Sequence, residues 1–177
     1  SQYQVLADYY TKQDNVSGAI SIYQKMLAAE GTNIQLHVKL ADLYTQARRV
    51  PDALKEYAVV AGMLKDRGAL DESIQVYEKA LKIAPDNVEI LRSFVPLLVD
   101  AGRLGEARAF LKKALETTPR SVPLFLLAAE AALSANDMAD ARNFAAKAQA
   151  VEPENEEVLS IVVKIQLRAR RPDLAFA

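Results

Sequence analysis

Apolar residues along this chain recur three and four positions apart, as in Ile74, Tyr77 and Leu81 and again in Leu104, Ala107, Phe110 and Leu111. That spacing places them on one face of an α-helix. No segment shows the sustained two-residue alternation, bounded by hairpin turns, that marks strands. The pattern predicts helices over 2–12, 15–29, 34–47, 51–67, 70–83, 87–101, 104–117, 121–134, 138–150 and 155–169, with a further start near Pro172. The punctuation between them agrees. Pro85, Pro119 and Pro153 each push the residue before them out of helical geometry. Gly102 can turn left-handed between two helices, and Asp14-Asn15 and Asn136-Asp137 carry side-chain oxygens suited to N-caps.

The helices repeat. Leu6-Ala7-Asp8-Tyr9-Tyr10 matches Leu40-Ala41-Asp42-Leu43-Tyr44, and Ala19-Ile20-Ser21-Ile22-Tyr23 matches Ala53-Leu54-Lys55-Glu56-Tyr57, each at a separation of 34. The second half has its own rows at that period: Pro85, Pro119 and Pro153; Ala80, Ala114 and Ala148; Ser73, Ala107, Ala141 and Ala175. Small residues such as Ala7, Ala19, Ala41, Ala53, Ala129 and Ala141 let paired helices approach closely. Tyr10, Tyr23, Tyr44, Tyr57, Tyr77, Phe94 and Phe110 fill the space between them.

The two sets of rows do not share a register. Ala53 and Ser73 hold the same place in the repeat but lie only 20 apart, 14 short of the period and so about one helix short. The segment from Pro51 to Arg67 must then close one repeat and open the next. Its residues Ala53, Tyr57, Val60, Ala61 and Leu64 form a single stripe that fits this double use. One reading is a deletion absorbed without consequence. The other is a break in phase that divides the chain into blocks over 1–67 and 70–177 with offset grooves.

These rows resemble the tetratricopeptide repeat (TPR), in its bacterial form, and the stretch GALDESIQVYEKALKIAPDN from Gly68 to Asn87 carries the likeness most fully. The resemblance covers essentially the whole chain. It implies an all-α fold: a right-handed α-solenoid of antiparallel helix pairs, one solenoid domain over 1–177 with a phase break around 51–73. It also implies a concave face lined by the first helix of each repeat, where partners of such proteins bind. Those positions are Gln4, Asp8 and Lys12, then Val38, Asp42 and Thr45, then Arg92, Pro96 and Val99, then Leu126, Glu130 and Leu133. Asp8 and Asp42 have the wrong sign for the clamp that grips a peptide carboxylate in one branch of the family, and would suit a basic peptide. Pro96 falls inside a predicted helix, where it removes one hydrogen bond; it either fits a tolerated kink or leaves the Arg92 carbonyl free to accept from a ligand.

Composition narrows the alternatives. Apolar residues make up 51% of the chain, enough for a sizeable core. Twenty-two bases against 23 acids disfavour nucleic acid as a partner. No apolar run approaches the ~18 residues of a membrane span. Cysteine is absent and His37 is the only histidine, so neither a zinc site nor a nucleophile–base pair is legible, and no cofactor is expected. His37 occupies a packing slot. The Arg168, Arg170, Arg171 cluster and Lys112-Lys113 are read as solvated surface.

The expected function is a protein-interaction scaffold, not an enzyme, presenting its concave groove to a peptide or helix of a protein partner. The chain starts and stops inside helical patterns, as expected of part of a larger multidomain protein. The alternative is a self-association module that forms a homo-oligomer through its terminal helices, where Ile161, Val162, Ile165 and Leu167 lack a following helix. The cytoplasm is the expected compartment, with the periplasm as the alternative.

Overall fold

The computed structural model describes residues 2–170, with side chains as far as Ala169. Over these residues it contains ten α-helices and no strand: α1 (Gln2–Lys12), α2 (Val16–Ala29), α3 (Ile34–Gln46), α4 (Val50–Asp66), α5 (Leu70–Ile83), α6 (Val88–Asp100), α7 (Leu104–Thr117), α8 (Val122–Ser134), α9 (Met138–Val151) and α10 (Glu156–Arg170). Every end falls within one residue of the expected one. The start near Pro172, Ala175 of the third row and Arg171 lie outside the described residues. The chain divides into two compact units, the first ending at Ala84 and the second beginning at Pro85. A boundary at 67–70 falls between α4 and α5, which pack against each other within the first unit.

Two kinds of turn alternate with the helices. In one kind a residue adopts left-handed geometry: Asp14 (φ 52°), Arg48 (φ 57°), Gly68 (φ 76°), Gly102 (φ 73°) and Asn136 (φ 57°). Just after each, an amide reaches back five residues: Asn15 to Tyr10 (2.9 Å), Arg49 to Tyr44 (2.8 Å), Ala69 to Leu64 (2.9 Å), Arg103 to Leu98 (2.7 Å) and Asp137 to Ala132 (2.8 Å). This six-to-one bond satisfies a carbonyl that the helix end would otherwise leave open. In the other kind the helix stops on an extended residue: Glu30 (φ −128°), Ala84 (φ −138°), Thr118 (φ −129°) or Glu152 (φ −136°). The last three precede Pro85, Pro119 and Pro153, whose rings bar a helical residue before them.

Helix α4 is the exception to the alternation, because it has the left-handed turn at both ends. It packs against α3 on one side and α5 on the other. Two alanines on α4, Ala53 and Ala61, are both fully buried. At Ala61 α5 is in direct contact with the α4 backbone, since the buried Ser73 hydroxyl donates to the Ala61 carbonyl at 2.8 Å. A second helix can approach a backbone this closely only where Cβ is the whole side chain.

In the first unit, His37 ties α3 to its surroundings. Its Nδ1 meets Glu56 Oε2 on α4 at 2.6 Å and its Nε2 meets the Gly31 carbonyl at 3.0 Å. In the second unit, the fully buried Phe94 of α6 meets Phe110 of α7 edge to face, with ring centroids 5.0 Å apart. A further core of Phe125, Leu126, Ala129, Ala145, Val158 and Ile165 joins α8, α9 and α10. Helix α8 is apolar nearly all round and is buried accordingly.

Candidate functional site

Three alternate helices of the second unit, α6, α8 and α10, pack side by side, α8 touching both of the others. Asn87 and Ser121 start the first two by accepting the Ile90 and Leu124 amides at 2.9 and 3.4 Å, which sets the register of the face each helix presents. Two adjoining clefts run over these helices, about 380 and 320 Å³ in volume, and share Leu127, Glu130, Ile161 and Lys164. The first also has Arg92 on α6 and Glu156, Glu157 and Ser160 on α10. The second adds Pro96, Val99 and Asp100 on α6 and Leu133 on α8. Apolar residues form the floor and charged ones the sides: Arg92 and Lys164 against Asp100, Glu130, Glu156 and Glu157. The acids outnumber the bases.

All six groove residues expected in this unit line these clefts. Arg92, Leu126 and Glu130 meet in the first, and Pro96, Val99, Glu130 and Leu133 in the second. Leu126 and Leu133 are only 7% and 8% exposed and serve mainly as core. Glu130, Arg92 and Pro96 are exposed. Helix α6 runs unbroken through Pro96, whose missing N–H leaves the Arg92 carbonyl without its intrahelical partner. Glu157, Ser160, Ile161 and Lys164 complete the face, and sequence reasoning missed them. The signal was available, since Ser160 and Lys164 lie 34 beyond Leu126 and Glu130.

In the first unit four of the six expected residues, Gln4, Asp8, Asp42 and Thr45, are engaged locally. Gln4 Nε2 donates to Asp8 at 3.1 Å, and the Thr45 hydroxyl donates to the Ala41 carbonyl at 2.9 Å. Lys12 is exposed and Val38 half-buried. Asp42 accepts the Tyr57 hydroxyl at 2.7 Å. Burial pushes the Tyr57 phenol up to about 12, with the Asp42 contact adding to the effect. Tyr23, 34 residues earlier, is also raised, first by burial and then by the charge of Asp8. The two acids therefore face tyrosines of the following helix, which uses part of the charge they could offer a partner.

The other singled-out residues give no site. His37 has both ring nitrogens occupied within its own unit. The turn before α4 gives none either: Arg49 there pairs with Asp52 at 2.7 Å and lies over the Tyr44 ring at 4.7 Å. Of the C-terminal arginine cluster, Arg171 and the Arg170 side chain lie outside the described residues. On α10, Ile161 and Ile165 are buried, at 2% and 4% exposure, by packing against α8 and α9. The exposed apolar residues there are Leu159, Val163 and Leu167. Among the described residues there is no group of three acids or histidines placed to hold a metal, and no helix is long and apolar enough to cross a membrane.

Comparison with known proteins agrees with this architecture. Residues 98–165 match a family described as Tetratricopeptide repeat, and residues 63–93 match one described as TPR repeat. No curated protein matches the sequence. The solved structure of a thermophilic TPR protein from Thermus thermophilus is 17% identical, covering 94% of this chain and 98% of its own, with a TM-score of 0.53. A tetratricopeptide repeat protein from Parabacteroides merdae is 14% identical over 98% of this chain and 75% of its own, also with a TM-score of 0.53. YrrB, described as a TPR protein with an unusual peptide-binding site, is 15% identical over 89% of each chain with a TM-score of 0.50. With its paired helices, left-handed turns and two family matches, this chain belongs to the tetratricopeptide repeat family.

Proposed function

We propose that this protein is an interaction scaffold, and that the face of α6, α8 and α10 seats a peptide or helix of a protein partner. The observation that carries this reading is the run of two adjoining clefts with an apolar floor and exposed charges on three successive alternate helices. Such a surface offers apolar burial for affinity and charge for register and selectivity. Four acids against two bases favour a basic segment. The peptide-binding site named for YrrB supports the same class of role. The function is binding rather than catalysis.

The test is affinity capture from a lysate of the source organism with three baits: wild type, Glu130→Lys with Lys164→Glu, and Asp42→Lys, each first shown to be helical by circular dichroism. A partner held by wild type and by Asp42→Lys but lost from the double variant supports the reading. Equal capture by all three overturns it. Self-association is the second reading, favoured by the exposed Leu159, Val163 and Leu167 stripe on α10; it requires a mass in light scattering that rises with concentration and falls on Val163→Glu.

A further inference from the structure

The second unit has another concavity, on the far side of α8. Ala128 and Ala132 lie two positions before and after Glu130, about 200° around the helix from it. They form the floor of a cleft of about 420 Å³, walled by Leu104, Leu111 and Leu115 of α7 and by Phe144 of α9. The cleft exists because α8 presents alanine here, and a methyl group cannot fill the gap between the two flanking helices. Phe144, Leu104 and Leu115 remain partly open to solvent.

Short connections make both α7 and α9 antiparallel to α8, so the walls run parallel to each other and form a trough. From Leu104 to Leu115 the α7 wall is about 16 Å long, or three helical turns. Arg108 of α7 braces one end by bonding to Asp137, the N-cap of α9, and to Asp140 on α9. Lys112 and Lys147 stand on opposite rims. Neither lysine has a carboxylate partner among the described residues, and Lys147 Nζ lies over the Phe144 ring at 5.1 Å. Asp140 is engaged by Arg108, which leaves Glu116 as the one remaining acid against two ammonium groups.

We propose that this trough is a second docking site, for an acidic amphipathic helix of a partner protein. Two or three bulky apolar side chains at three- and four-residue spacing enter between α7 and α9, and carboxylates flanking that stripe meet Lys112 and Lys147. Helix-in-groove recognition lays the apolar face of an amphipathic helix into a hydrophobic groove of this kind. The charge on both rims selects an acidic helix over a basic one.

The test uses fluorescent peptides of about 14 residues: leucines at helical spacing flanked by glutamates, the same peptide flanked by lysines, and a scrambled glutamate version. Anisotropy is read with wild type, Lys112→Glu with Lys147→Glu, Ala128→Leu, and the Glu130→Lys, Lys164→Glu pair. The exposed lysine changes are safe for folding, whereas Ala128→Leu fills the floor and needs its circular dichroism checked. The glutamate peptide should bind wild type at least about tenfold more tightly than the other two, and lose about tenfold or more on the lysine reversal. The Glu130 and Lys164 changes should leave it unaffected, which separates this site from the one proposed above. Equal affinity for acidic and basic peptides, or no binding up to about 1 mM, overturns the proposal.

Discussion

Ser73 is the place where the packing of α4 can be tested most sharply. Its counterparts in the repeat, Ala19, Ala53, Ala107 and Ala141, are all fully buried, as Ser73 is. Its hydroxyl donates at 2.8 Å to the Ala61 carbonyl, which as a helical residue also accepts from the amide four positions on. Ser73→Ala therefore removes one donor without orphaning its acceptor. The loss of about 0.5–1.5 kcal/mol is partly offset by the better helix propensity of alanine, so the net cost should stay under about 1 kcal/mol. Ser73→Leu is different in kind. Its extra carbons must fit a fully buried position whose hydroxyl already lies 2.8 Å from the Ala61 carbonyl, so α5 is expected to move away, at a cost of about 3 kcal/mol or more. Urea unfolding followed by far-UV circular dichroism measures both. Midpoints should be compared rather than a single global free energy, because helical repeats need not unfold in one step. A leucine variant as stable as the alanine one would refute the close approach of α4 and α5.

Three further outcomes follow from named contacts. Tyr57 holds its proton to about pH 12 in the folded chain but near 10 when unfolded, so its contribution is intact below pH 10 and lost as pH rises toward 12. Tyr57→Phe should remove one late-titrating tyrosine from the ultraviolet titration and flatten the alkaline loss of stability; an unchanged titration would contradict this. His37→Ala removes contacts to both Glu56 and Gly31 and should cost about 1–3 kcal/mol, checked by thermal unfolding, with no change implying that the two contacts contribute nothing. Pro96→Ala restores a hydrogen bond in an exposed stretch of α6 and should raise stability by about 1–2 kcal/mol in urea, whereas a loss would mean that the ring packs where an alanine does not.

The helices were legible because period and punctuation agreed. Proline after Ala84, Thr118 and Glu152, and glycine at 102, mark turns whose geometry suits those residues. Arg48 falls between the predicted helices 34–47 and 51–67, but its left-handed geometry was not legible, since arginine has no special tolerance for φ 57° and only its distance of 34 from Asp14 gives it away. The groove was half legible. The repeat row finds Arg92, Pro96 and Glu130, yet it also finds Leu126 and Leu133, which α8 buries because nearly every side of that helix faces another. In the first unit the row finds Asp42 but cannot show that Tyr57 already holds it. The trough behind α8 could not be read at all. It is a missing volume, made by alanines that look in sequence like ordinary close-packing positions.

If partners lie on the α6, α8, α10 face as proposed, a photocrosslinking residue at position 160 captures them. Ser160 is exposed and lines the first cleft, whereas Lys113 on α7, also exposed, lies outside both clefts and serves as the control. Irradiation in living cells followed by mass spectrometry should give a protein adduct from position 160 that is absent from position 113 and disappears on Glu130→Lys. An adduct from 113 and none from 160 would place the partner away from this face.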